Sequence, residues 1–166
     1  APATFAWNWA SYALFRKFKR LGQIASARAE EYLRTGNELA GWEGACALVA
    51  FVEMYPDIDY QTQLFSFGTR QFGMNPLGKF RYSGHAWGLA FRLIQAYDRL
   101  YPIIAKDRDL VRHLASRIGG IKSNRDIIRL CDTNLLQHVR DCVDRQVIRA
   151  GEGDSEMVAV MAGLVQ

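Results

Sequence analysis

The residues best suited to recognising a ligand gather near the start of the chain. Trp7 and Trp9 stand among Phe5, Tyr12, Phe15 and Phe18, with Arg16, Lys17, Lys19 and Arg20 beside them. An aromatic face covers the apolar C–H side of a pyranose, and neighbouring cations hold its anionic groups. The same residues also make a packed helix face with a solvated basic flank, because aromatic side chains dominate cores. Exposure separates the two readings. His85, His113 and His138 are widely spaced, and a lone histidine on a helix is more often structural than catalytic. His85, next to Trp87 at the end of a long irregular stretch, is the best candidate of the three.

Other chemistries lack their residues. Cys46, Cys131 and Cys142 are an odd set, so at least one thiol is left over if the monomer forms any bridge. Cys131 and Cys142 fall on one predicted helix, roughly 16 Å apart and beyond disulfide reach, which makes reduced structural cysteines the expectation. No Cys-x-x-Cys or paired His-Cys spacing suggests zinc, and there is no Gly-x-Gly-x-x-Gly, P-loop or His-Glu-x-x-His. Nothing in the sequence calls for a metal or a cofactor. A net charge of +4 gives a mild preference for anionic partners. No apolar run approaches the roughly 18 residues that a membrane span needs, so no membrane partner is expected, and no nucleic-acid partner is expected either.

The elements that must position these residues are helical. With 49% apolar residues over 166 positions, the chain can bury the core of one domain, and it holds almost no alternating β-branched runs. The expected class is all-α, built from antiparallel helical hairpins in a single domain over 1–166. Thr4 caps a first predicted helix, and an alanine-rich helix follows over 23–34. Gly36 suits the left-handed position after it, and Asn37 caps the return helix, which runs from Glu38 to about Met54 and stops at Tyr55-Pro56. Gly41 and Gly44 weaken that helix but permit close packing. Residues 57–80 are irregular and aromatic-rich. The stretch over 84–102 reads as the organising helix, with Ser83 as its cap, Trp87, Phe91, Ile94 and Tyr97 at helical spacing, and a stop at Tyr101-Pro102.

Asp107 caps a shorter helix through Ile118, ended by Gly119-Gly120. Ser123 opens another, whose apolar stripe includes Ile127, Leu130, Leu135, Val139 and Cys142. After the break at residues 151–154, a last helix begins at Ser155 and is still running at Gln166, which suggests a piece of a longer chain.

Taken in order, Tyr32-Leu-Arg-Thr-Gly-Asn37, Tyr55-Pro56, Gln95-Ala-Tyr-Asp-Arg-Leu-Tyr-Pro102 and Asn134-Leu-Leu-Gln-His resemble the helical toroid of heparinase II/III-like polysaccharide lyases. The resemblance implies an incomplete (α/α) toroid, a missing C-terminal β-sandwich of the same parent chain and a periplasmic or secreted location. It also implies cleavage of uronate-containing anionic polysaccharides by β-elimination. That reaction needs a neutraliser for the uronate carboxylate, a base for the C5 proton and an acid for the leaving oxygen. Trp7, Trp9, Arg81, Tyr82, His85 and Trp87 are the candidate groove residues. Relatives often carry a Gly-Asn-x-Gly-x-His-Gln-like turn where this chain reads Gly151-Glu-Gly-Asp-Ser-Glu156-Met. Glu152 and Glu156 thus stand at the candidate catalytic positions, although a carboxylate neutralises a uronate only when protonated or metal-bound.

Two other classes fit the same residues. A non-catalytic helical scaffold would cover its aromatic surfaces with a protein partner. A glycoside hydrolase on a similar toroid would use Glu152 and Glu156 as acid and base.

Overall fold

The computed structural model describes the backbone over residues 2–57 and 83–143, and side chains over 19–56 and 88–141. The expectations for residues 58–80 and for the last helix from Ser155 lie outside the described residues. Everything described is helix or turn, with no strand. In chain order the elements are α1 (Pro2–Thr35), α2 (Glu38–Met54) with a 3-10 turn over Tyr55–Asp57, α3 (Ser83–Lys106) and α4 (Arg108–Ala115). Next comes α5 (Asn124–Cys131), which passes through a π-helical segment over Asp132–Gln137 into α6 (His138–Val143).

The first hairpin closes as its local chemistry requires. Gly36 takes φ 68°, a conformation open to glycine without a Cβ penalty, and its N–H donates to the Tyr32 carbonyl at 2.8 Å. Asn37 then caps α2, its Oδ1 accepting from the backbone N–H of Leu39 at 3.1 Å and of Ala40 at 3.4 Å. Its amide donates back to Glu31 Oε1 at 3.1 Å, which ties the two helices across the turn.

The two helices expected before Thr35 are one, 34 residues long. Thr4 therefore lies inside it, as does Gly22. Gly22 is buried, with Leu89 Cδ1 2.5 Å from where its Cβ would stand, so it serves the approach of α3. Gly41 and Gly44 act as expected. A Cβ on Gly41 would meet Tyr32 Cδ2 at 2.9 Å and Ile103 Cγ1 at 3.0 Å; one on Gly44 would meet Arg28 Cβ at 3.0 Å and Leu100 Cδ2 at 3.2 Å. These neighbours also set the directions. α1 and α2 are antiparallel, and α3 runs with α1, as the Arg99–Glu30 ion pair at 2.7 Å also requires.

The organising element is α2 rather than the predicted 84–102 stretch. Ala40, Gly41, Gly44, Ala45, Ala47, Leu48, Val49, Phe51 and Val52 are all buried, so α2 is covered on several sides by α1, α3, α4 and α5. A helix apolar around most of its circumference belongs at the centre of a bundle. In α3 the buried line is Ala90, Leu93, Ala96, Tyr97, Leu100 and Ile104, while Phe91 and Ile94 lie at its margins.

Proline does not stop α3. The helix continues through Pro102 to Lys106. The missing N–H leaves the Asp98 carbonyl without its helical partner, but Asp98 and Pro102 both lie on the exposed face, where solvent satisfies it. Asp107 caps α4 as expected, its Oδ1 accepting from Asp109 N at 2.7 Å and Leu110 N at 2.9 Å. That helix ends at Ala115, short of Ile118, and a turn carries the chain to Gly120 at φ 86°. Ile118 nevertheless stays buried. Ser123 opens α5 through a reciprocal cap, in which Asp126 N donates to Ser123 Oγ at 3.3 Å and Asp126 Oδ2 accepts from Lys122 N at 3.1 Å.

Ile127, Cys131, Leu135 and Val139 form the buried stripe beyond that cap, at steps of four residues. In a regular α-helix each such step overshoots the turn by about 40°, so the stripe would rotate away from α2 and α3. The wider π turn over Asp132–Gln137 absorbs that drift and keeps Leu135 and Val139 inward.

Candidate functional site

None of the eight residues singled out from the sequence has a described side chain. Trp7 and Trp9 lie on the backbone of α1, roughly 20 Å along the helix from the buried contact at Gly22. His85 and Trp87 occupy the first turns of α3, just before Leu89. Arg81, Tyr82, Glu152 and Glu156 fall outside the described residues. Their mutual arrangement therefore lies outside the described residues.

What the structure does gather is a set of polar and aromatic groups around the π turn, which the sequence marks only as fold punctuation or as a lone histidine. Tyr97, 6% exposed, donates from its phenol to Asp132 Oδ1 at 3.0 Å. Two residues on, Asn134 Nδ2 donates at 3.2 Å to the Val52 carbonyl, in the last turn of α2. That carbonyl also receives the Tyr55 N–H, so Asn134 reinforces the helix end. His138 lies edge-on against Tyr55, with ring centroids 5.3 Å apart, and Tyr55 in turn meets Phe51 at 5.4 Å. The π turn thus sits between the end of α2 and the middle of α3 and is tied to each by a side chain.

Burial keeps the Tyr97 phenol and the Cys131 thiol beside the π turn in their neutral forms. Burial raises the Tyr97 phenol well above its ordinary range, and Cys131 and the bond to Asp132 act in the same direction. Burial likewise pushes the Cys131 thiol up to about 12. A phenol held this firmly donates a hydrogen bond at neutral pH and is a poor base. The Asn134 amide and the Tyr97 phenol spend donors within the protein. The spacing of Asn134 and His138, four residues apart on a helix, is the sequence signal for their shared face.

On the other side of α2, the half-buried Cys46 thiol is pushed up to about 11 by burial. His113 meets the edge of Trp42 at 4.7 Å, and its Nδ1 lies 3.1 Å from Arg117 Nη1. Guanidinium only donates, so Nδ1 is the acceptor in that contact. His113 and His138 each rest against an aromatic ring within the bundle. Among the described residues no three His, Cys, Asp or Glu side chains lie close enough to hold a metal ion, and no helix is long and apolar enough to cross a membrane.

No protein family, curated protein or solved structure matches the chain.

Proposed function

We propose that the chain forms helices of an (α/α) toroid in a polysaccharide lyase that cleaves uronate-containing anionic glycans by β-elimination. In this reading Trp7, Trp9, Arg81, Tyr82, His85 and Trp87 line the glycan groove, and the turn carrying Glu152 and Glu156 meets the scissile sugar. The observation that supports it is the place of the residues on which the resemblance rests. Gly36 and Asn37 close the first antiparallel pair, Tyr55 is buried at the end of α2, Tyr97 is held by Asp132, and Asn134 bonds α2. Paired helices closed and tied in this way are the units from which such a toroid is assembled. The reaction still needs a neutral or cationic group facing the uronate carboxylate, a role Glu152 or Glu156 fills only as a protonated acid.

Affinity electrophoresis through gels loaded with alginate, chondroitin-type or heparan-type glycan tests the binding half of this reading. Retardation by at least one uronate polymer, with free passage through neutral glucan, is the expected result. Equal migration in every gel would remove the glycan. A scaffold for a protein partner would then be favoured by Leu33 and Leu39, which flank the α1–α2 turn at 61% and 64% exposure.

A further inference from the structure

Where α3 gives way to α4 and α5 begins, four cations stand against one carboxylate outside an ion pair, Asp107. Asn124 draws these ends together, its Nδ2 donating to the Ile104 carbonyl at 2.7 Å and to the Asp107 carbonyl at 2.9 Å. Lys106 and Arg108 flank Asp107, and Lys122 and Arg125 lie within two residues of Asn124, so all four cations share one corner. Each is exposed. Among the described residues none of the four enters an ion pair.

The carboxylates of the same corner are already engaged. Asp107 caps α4 through the N–H groups of Asp109 and Leu110. Asp109 pairs with Arg112 at 2.6 Å, and Asp126 holds Arg129 at 2.8 Å while accepting from Lys122 N and Ser123 Oγ. The N-terminal ends of α4 and α5 add partial positive charge beside the side chains.

We propose that this corner binds a linear polyanionic glycan, with Lys106, Arg108, Lys122 and Arg125 pairing its carboxylate or sulfate groups. Residues 106–109 and 122–126 contain no aromatic side chain on which a nucleic-acid base could stack, which favours a sugar acid polymer over single-stranded nucleic acid. The choice of polymer rests on the glycan reading above; the corner itself needs no catalysis.

The test is calorimetric titration of the chain with heparin-type and polyuronate oligosaccharides at low salt, using two triple variants of equal charge change. Arg108→Gln, Lys122→Gln and Arg125→Gln together remove the corner. Arg92→Gln, Arg117→Gln and Arg140→Gln remove three other exposed cations, with Arg92 roughly 20 Å back along α3 from Lys106. All six side chains are exposed, and circular dichroism checks that both variants keep their helix content. The corner variant should weaken binding by about tenfold and the distal variant by less than about twofold. Equal weakening by both sets, or none by the corner set, overturns the proposal, as does single-stranded DNA of matched charge binding equally well at the corner. Glycan binding that survives the corner variant leaves the glycan reading standing without this surface. Corner-dependent binding together with no β-elimination by the full-length parent protein leaves the surface standing and removes the lyase.

Discussion

Gly44 shows how a single missing side chain sets the spacing of three helices. With Arg28 Cβ and both Leu100 methyls at 3.0–3.3 Å from the position of its absent Cβ, α1 and α3 close on α2 from two sides. Valine there inserts three carbons where backbone-proximal atoms already stand, and should cost about 1–3 kcal/mol in chemical denaturation. Gly88 is the contrast, exposed and with nothing within 4 Å among the described residues. Gly88→Ala keeps the helical backbone and should add about 0.5–1 kcal/mol. If the two variants shifted stability in the same direction, helix propensity rather than interhelical approach would govern these glycines.

At the scale of the element, the starts at Asn37, Asp107 and Ser123 and the stop of α2 before Tyr55-Pro56 are legible in the sequence, whereas the continuity of α1 and the ends of α3 and α4 are not. Asn37, Asp107 and Ser123 each cap the helix predicted from them, because a cap is a bond between a short polar side chain and N–H groups two or three residues away. Pro102 and Gly22 look like local punctuation, yet what decides each is distant or external. Solvent on the exposed face tolerates the proline, and Leu89 and Leu93 of α3 explain the glycine. The π turn is invisible in the sequence for a related reason, since only the partners of Ile127 and Leu135 dictate that both face inward. Asn124 is the clearest tie between elements. Asn124→Ala removes its bonds to the Ile104 and Asp107 carbonyls and should cost about 1–3 kcal/mol, read as a lower urea midpoint with unchanged slope. An unchanged midpoint would show that α5 is held by its apolar stripe alone.

For the molecule as a whole, the all-α class and the first hairpin are readable from periodicity and turn chemistry, whereas the centrality of α2 is not. Its apolar residues run around most of the helix, which a search for one-sided stripes undervalues. The candidate groove is legible only through the resemblance, because Trp7, Trp9, His85 and Trp87 carry no spacing that distinguishes a sugar face from a core face. The charge state of the buried groups gives a further global expectation. Folding raises the Cys46 and Cys131 thiols from 9.0 to about 11 and about 12, so the folded chain binds more protons than the unfolded chain above pH 9.0. Their stabilisation is fully present below that pH and is lost as pH rises through the folded values. Glu31, held down chiefly by its bond from Arg28, and Asp126, held down chiefly by Ser123, act in the opposite sense; their contribution is lost below about pH 4.5 and 3.8 respectively. Urea midpoints should therefore be flat through neutrality and fall at both extremes, and a midpoint that kept rising above pH 9.0 would contradict the protonated, buried thiols.

The central claim is that these helices belong to an enzyme that cleaves uronate glycans by elimination, and the most direct measurement is ultraviolet absorbance of the full-length parent protein mixed with a panel of alginate, chondroitin-type and heparan-type polymers. β-Elimination leaves an unsaturated uronate that absorbs where the intact glycan does not, so absorbance should rise with at least one polymer. New reducing ends without that rise would point to hydrolysis, and no cleavage of any polymer would contradict the account and leave a helical scaffold in its place.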